Sequence, residues 1–261
     1  MPEAPIVSLT GKRVVQWGAS GLLGRALARG LVAAGADVIL VSRETTRPDS
    51  LPAATSPGPG TLAFEQADLG HEASIHALRD RLLARYGRID GLVYNAVARP
   101  MRSLDDNLAA WRESMEVNAT GLFAASRVFG DVMAAAGRGS IVMIASIQGM
   151  VGHQPSLYEG TALTSRPDYF FHKAGMLNLT RYLASHYGTR GVRVNAVSPG
   201  GIYDPAAPQP AEFIARYNPL TMLGRMADAS EITGAVAFLL SDAATYVTGI
   251  NLPVDGGYTA K

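Results

Sequence analysis

The stretch Val14-Val15-Gln16-Trp17-Gly18-Ala19-Ser20-Gly21-Leu22-Leu23-Gly24 decides the fold. A short β-branched and aromatic run enters a Gly-x-x-Gly-x-x-Gly turn, which opens into a Leu- and Ala-rich helix expected over 22–34 and closed by Gly35. A strand, a glycine turn and a helix make the first half of a strand-helix-strand unit, and a second strand is expected at 38–42. Glycines let a backbone turn tightly and approach a ligand. The N–H groups and positive dipole end of the following helix then stabilise a pyrophosphate. Gly18, Ser20, Gly21, Leu22, Leu23 and Gly24 are therefore the candidate cradle of a dinucleotide; the competing reading is a tight turn without a ligand.

Outward from this unit, β-branched runs continue to alternate with longer amphipathic segments. Strands are expected at 62–65, 91–94, 140–145, 192–197 and 251–254. Helices are expected at 73–86, 108–136, 211–217 and 231–240, with another that runs to about Tyr187. This alternation predicts an α/β fold: a single Rossmann-type, doubly wound parallel sheet of about seven strands with helices on both faces. Residues 1–261 read as one dinucleotide-binding and catalytic domain, with pocket-forming insertions near 152–168 and 201–226. The stretch from Arg43 to Gly60, with Pro48, Pro52, Pro57 and Pro59, is too rich in proline for a regular helix and is expected to be a surface excursion.

Composition narrows the function. The 23 basic and 22 acidic residues among 261 leave a net charge of +1. No global field attracts a polyanion, so neither nucleic acid nor an anionic membrane is an expected partner. The start of the chain has no basic flank followed by an apolar stretch, and no run of 18 apolar residues occurs, so a cytoplasmic protein is expected. With no cysteine, chemistry must rest on oxygen, nitrogen or a cofactor. No His/Asp/Glu cluster has metal-ligand spacing. Only three basic residues are lysines, Lys12, Lys173 and Lys261.

At the end of the second strand stand Ser42 and Arg43 where an acidic residue would accept a ribose 2′-hydroxyl. Arginine pairs instead with a 2′-phosphate, so NADP(H) is favoured, with NAD(H) still open because Glu44 is adjacent. Further along, Tyr169 and Lys173 lie one helical turn apart on a shared face. A neighbouring ammonium stabilises a phenolate, which makes a tyrosine usable for proton transfer.

In order and spacing, Gly18 to Gly24, Asn95-Ala96, Asn118, Ser146, Tyr169-x-x-x-Lys173 and Pro199-Gly200 resemble the short-chain dehydrogenase/reductase family, in its short single-domain branch. The resemblance covers the chain from about Gly11 to Tyr258. It implies an oxidoreductase that interconverts an alcohol and a carbonyl with a nicotinamide cofactor. In that pattern Tyr169 exchanges the proton, Ser146 hydrogen-bonds the same substrate oxygen, and Lys173 holds the nicotinamide ribose and lowers the Tyr169 pKa. Asn118 holds a water that links Lys173 to solvent. Asp68 and Leu69 lie beside adenine, Asn95 and Ala96 against the adenosine ribose, and Pro199, Gly200 and Ile202 beside the nicotinamide. The family also implies a homo-oligomer, a tetramer or dimer, packed through the 108–136 and Tyr169-bearing helices.

The chain departs from the family pattern at several points. Trp17 precedes the first glycine and Tyr94-Asn95-Ala96-Val97 replaces Asn-Asn-Ala-Gly, which suggests aromatic packing of Trp17 on Tyr94. The middle glycine falls at Gly21, a spacing typical of sugar-nucleotide epimerases and dehydratases that retain their cofactor. Such an enzyme, or a non-catalytic dinucleotide-binding scaffold, is the alternative reading. Ser146 and Tyr169 are about ten residues further apart than usual, and the extra chain must border the pocket because both its ends are pinned at catalytic residues. Its Tyr158-Glu159-Gly160-Thr161 is similar to members found with flagellin-modification and sialic-acid-like sugar pathways, which makes a sugar or sugar phosphate a candidate substrate. His153 is a candidate substrate contact, and His172 is expected to point into packing or a subunit interface.

Overall fold

The computed structural model describes residues 6–44 and 59–261. Most of the proline-rich stretch therefore lies outside the described residues, as does the amino terminus. Seven parallel strands form one sheet: β1 (Arg13–Trp17), β2 (Asp37–Ser42), β3 (Leu62–Gln66), β4 (Gly91–Tyr94), β5 (Gly139–Ile144), β6 (Val192–Pro199) and β7 (Asn251–Val254). Their order is β3-β2-β1-β4-β5-β6-β7. The chain thus starts mid-sheet, winds to one edge, returns beside β1 and winds to the other. This is the expected Rossmann-like architecture.

Period-two alternation sorts the strand residues between two cores. Val15, Trp17, Ile39, Val41, Leu92, Tyr94, Ile141 and Met143 join one apolar cluster with α2 (Glu72–Tyr86), α4 (Leu122–Ala135) and α5 (Pro167–Gly188). Val14, Val38, Leu40, Val93, Val142, Ile144 and Val197 join the other, with α1 (Leu22–Ala33) and α7 (Thr233–Leu240). The helix expected over 231–240 starts as a 3-10 turn, Ala229–Ile232, in which Asp228 and Glu231 form a capping box.

The single helix expected over 108–136 is divided. α3 (Leu108–Met115) passes through a π turn, Glu116–Gly121, into α4. At this turn the Tyr94 hydroxyl donates to the Val117 carbonyl at 2.7 Å, while Asn118 is carried into the interior. A π bulge accommodates one extra residue in a helix and re-aims the side chains around it. Trp17 and Tyr94 are register partners buried in the same core. The tie between the two strand ends, however, runs through Asn95: its N–H donates to the Trp17 carbonyl and its Nδ2 to the Gly18 carbonyl at 2.6 Å.

The glycine turn sits where β1 and β4 diverge, the position at which open α/β sheets bind ligands. Gly18 has φ +80°, and a Cβ there would overlap the Ala96 backbone. A Cβ on Gly24 would overlap the Gly18 carbonyl oxygen, whereas one on Gly21 would meet nothing within 4 Å. Gly24→Ala is therefore expected to lose about 2 kcal/mol of stability or more, and Gly21→Ala less than about 0.5 kcal/mol. Urea unfolding of the two variants beside the parent checks this contrast.

Candidate active site

The α5 helix begins with Pro167 at its first position and Asp168 in its first turn, so an acidic group lies at the positive end of the dipole. Tyr169 follows, half-buried, and Lys173 one turn later is only 3% exposed. The Lys173 ammonium donates to the Ile144 carbonyl at the end of β5 and lies 5.4 Å from the Tyr169 ring centroid. Burial, and secondarily the nearby Arg99 guanidinium, push the Lys173 pKa down to about 7. Ser146 follows β5 and caps the short turn Ile147–Gly149, its Oγ accepting from the Gln148 N–H at 3.1 Å. That turn packs closely on α5, because a Cβ on Gly149 would overlap the Lys173 backbone. Ser146, Tyr169 and Lys173 thus stand on two segments that glycine allows to touch.

Asn118 is buried and fully engaged. Its Oδ1 accepts from the Ala98 N–H at 2.9 Å, and its Nδ2 donates to the Ala98 carbonyl at 2.8 Å and to Ser114 Oγ at 2.9 Å. The Ser114 hydroxyl in turn donates to Asp168 Oδ2. A side-chain relay therefore runs Asp168–Ser114–Asn118 beside the phenol-bearing turn. Asp168 is 1% exposed, and its Oδ1 has no hydrogen-bond partner among the described residues. His172 is buried as expected, with its ring edge-on to Tyr169 at 5.2 Å. Burial, then Lys173 and Arg99, hold its pKa down to about 3, so the ring is neutral at physiological pH.

The candidate cofactor residues lie at the C-terminal ends of β1 to β4 and of β6. Gly18 to Gly24 follow β1, and Gly21 caps α1 without a side chain, leaving the first-turn N–H groups available to an anion. Ser42 and exposed Arg43 end β2, where Ser42 Oγ accepts from the Glu44 N–H. Asp68 and Leu69 follow β3: the Asp68 N–H donates to Ser74 Oγ, and Leu69 is buried against Gly121 of the π turn. Asn95 and Ala96 follow β4. Pro199 ends β6, the Gly200 N–H donates to the Val254 carbonyl, and Ile202 makes an isolated bridge with Ala227. Among the described residues no group of three His, Asp or Glu could hold a metal ion, and no helix is long and apolar enough to cross a membrane.

The 152–168 segment folds over the site's flank. Leu157 is buried with Ile147, Phe213, Tyr217 and Met226 in a small separate cluster that joins it to α6 (Ala211–Tyr217). Arg216 of α6 donates to the Ser156 and Glu159 carbonyls, and Gln148, two residues after Ser146, donates to the Tyr158 hydroxyl at 3.1 Å. Exposed His153 packs on Tyr158 and Phe170. Arg99, Ser114 and Asp168 are neighbours of the site that the motif spacing did not single out.

A family model described as enoyl-(acyl carrier protein) reductase matches residues 18–259. The chain belongs to the short-chain dehydrogenase/reductase family. It is 40% identical to a cis-4-hydroxycyclohexanecarboxylate dehydrogenase from Sinomonas cyclohexanicum, over 95% of this chain and 96% of that one. Among solved structures it is similar to a short-chain dehydrogenase from Leptospira borgpetersenii with bound NAD+, at 30% identity and TM-score 0.87, covering 99% and 97% of the two chains. A gluconate 5-dehydrogenase from Burkholderia cenocepacia in complex with NADP and tartrate matches at 28% identity and TM-score 0.85, over 98% of each chain. The protein is an NAD(P)-dependent oxidoreductase that interconverts an alcohol and a carbonyl.

Because the folded pKa of Lys173 is depressed, the unfolded chain holds a proton that the folded chain releases between about pH 7 and the ordinary lysine value. The burial cost is thus fully present below about pH 7 and fades as pH rises through that window. In cofactor-free protein, Lys173→Met should raise the thermal midpoint at pH 6 to 7, with the gain shrinking toward pH 10. Asp168→Ala deprives the Ser114 hydroxyl of its acceptor, and turnover should fall roughly tenfold, with little change in KM for the nicotinamide cofactor.

Proposed function

We propose that Tyr169, Ser146, Lys173 and Asn118 carry out the reaction on a secondary alcohol or the corresponding ketone, with NADP(H) preferred as the cofactor. The observation that carries this reading is the Lys173 ammonium, buried beneath the Tyr169 ring and anchored to the Ile144 carbonyl. An amine held at that position stands beside the phenol that exchanges a proton with substrate, as a proton-transferring tyrosine needs. Tyr169 Oη takes the alcohol proton in oxidation and returns it in reduction. Ser146 Oγ steadies the same substrate oxygen, and Asn118 orders the polar path behind Lys173.

The glycine cradle fits a dinucleotide, since no Cβ can be accommodated at Gly18 or Gly24 and the N-terminus of α1 carries no side-chain cap. The nicotinamide, when bound, supplies the hydride acceptor or donor. Gly18, Ser20, Gly21, Leu22, Leu23 and Gly24 would hold the pyrophosphate, and Ser42 and Arg43 would hold a 2′-phosphate. Asp68, Leu69, Asn95 and Ala96 would hold the adenosine, and Pro199, Gly200 and Ile202 would hold the nicotinamide with Tyr169 and Lys173. The names of the relatives support a cyclic alcohol or a polyol as substrate.

In this reading residues 1–261 form one catalytic domain, with 152–168 and 201–226 shaping the substrate pocket. Exposed Phe123 on α4 and Phe171 and Tyr182 on α5 support a homo-oligomer paired through those helices, and the reading keeps the protein in the cytoplasm. The cofactor assignment is tested by following nicotinamide fluorescence with NADPH and NADH. NADPH should bind more tightly, and Arg43→Ala should weaken NADPH roughly tenfold to a hundredfold; tighter NADH binding contradicts it. Tyr169→Phe should lower kcat by about 100-fold or more.

A further inference from the structure

We propose that Arg99 anchors a carboxylate on the substrate, so that this enzyme works on hydroxy acids and their keto counterparts in preference to neutral alcohols. The proposal rests on the oxidoreductase reading above and names the substrate class for the same site.

Placement is the first argument. Asn118 grips Ala98 at both its N–H and its carbonyl. Pro100 follows Arg99 and confines the Arg99 backbone to extended conformations. A long side chain therefore leaves a fixed piece of backbone directly beside the site. Its guanidinium carbon lies 5.4 Å from the Tyr169 ring centroid, the same distance as the Lys173 ammonium.

Charge is the second argument. Some arginines of this chain meet carboxylates, as Arg225 does Glu231, and others meet backbone carbonyls, as Arg13 does Tyr86 and Arg216 does Ser156. Among the described residues Arg99 has no such ion pair. The groups that feel it are Lys173 and His172, whose pKa values it pushes down. Asp168, the carboxylate next to Tyr169 in sequence, turns Oδ2 to Ser114 instead. Two cations thus flank one phenol, an arrangement that an arriving anion relieves.

Chemistry selects the anion. A planar guanidinium fork matches a carboxylate in bidentate geometry, and its exposure leaves both donors open to a ligand. With the carbinol oxygen at Tyr169 Oη and the carboxylate on Arg99, the substrate is held at two points. That fixes which carbon is presented for hydride transfer.

The test uses the enzyme with NADP+ and a panel of cyclic and open-chain hydroxy acids, each paired with its uncharged methyl ester, for the parent, Arg99→Met and Arg99→Lys. In the parent, kcat/KM for at least one acid should exceed that for its ester by tenfold or more. Arg99→Met should collapse this ratio at least tenfold, through KM, and Arg99→Lys should keep part of it. Binding of a carboxylate that lacks the hydroxyl, read as competitive inhibition, should weaken in parallel. Esters used as well as acids by the parent overturn the carboxylate anchor while leaving the oxidoreductase reading intact. An Arg99→Met enzyme slowed equally on both members of each pair, through kcat and with a displaced pH profile, overturns it as well, since Arg99 then serves Tyr169 alone. Absence of turnover with every acid and every ester overturns the oxidoreductase reading and the anchor with it.

Discussion

The side-chain amide of Asn118 closes on Ala98 from both sides, and the geometry of the site depends on that clamp. An amide is suited to it because it offers an acceptor and two donors in one plane. The π turn at Glu116–Gly121 carries Asn118 into the interior, and the Tyr94 hydroxyl takes up the Val117 carbonyl beside it. The second amide hydrogen goes to Ser114, and from there the chain of hydrogen bonds reaches Asp168 in the first turn of α5. One residue therefore joins the loop after β4, the kinked helix and the helix that carries Tyr169 and Lys173. A buried polar network of this kind fixes positions because each missing bond would leave a desolvated group unpaired.

Lys173 shows the energetic character of the site. Burying an ammonium with a single carbonyl acceptor is unfavourable, and the lowered pKa is the measure of it. The fold tolerates this because β5 and α5 are held together by the close approach of Gly149 to the Lys173 backbone. Phenol, ammonium and the Ser146 hydroxyl are held in place before any substrate arrives, and such preorganisation is where catalytic electrostatics have most effect.

Much of the scaffold was legible because parallel strands covered on both faces read as short apolar runs. The strands Gly91–Tyr94 and Asn251–Val254 and the helix Ala211–Tyr217 lie where that pattern places them. The π turn was not legible, since apolar residues recur through it as they would in a continuous helix. Nor was the Asp168–Ser114 contact, which joins residues 54 apart and leaves no local pattern. Arg99 was hidden by the abundance of arginine: of 23 basic residues all but three are arginine, so only its place over Tyr169 separates it from the others. Trp17 and Tyr94 share a register position and one apolar core, and Asn95, which the motif also marks, provides the hydrogen bonds between the strand ends.

This fold passes a hydride between substrate and nicotinamide with net oxidation or reduction. The most direct test is to supply NADP+ with a secondary alcohol deuterated at the carbinol carbon and follow the label by mass spectrometry. One deuterium is expected in the reduced nicotinamide for each ketone formed, with loss of that transfer in Tyr169→Phe. Deuterium that stays in the alcohol while its configuration is inverted, with no accumulation of reduced cofactor, would contradict it and point to an epimerase.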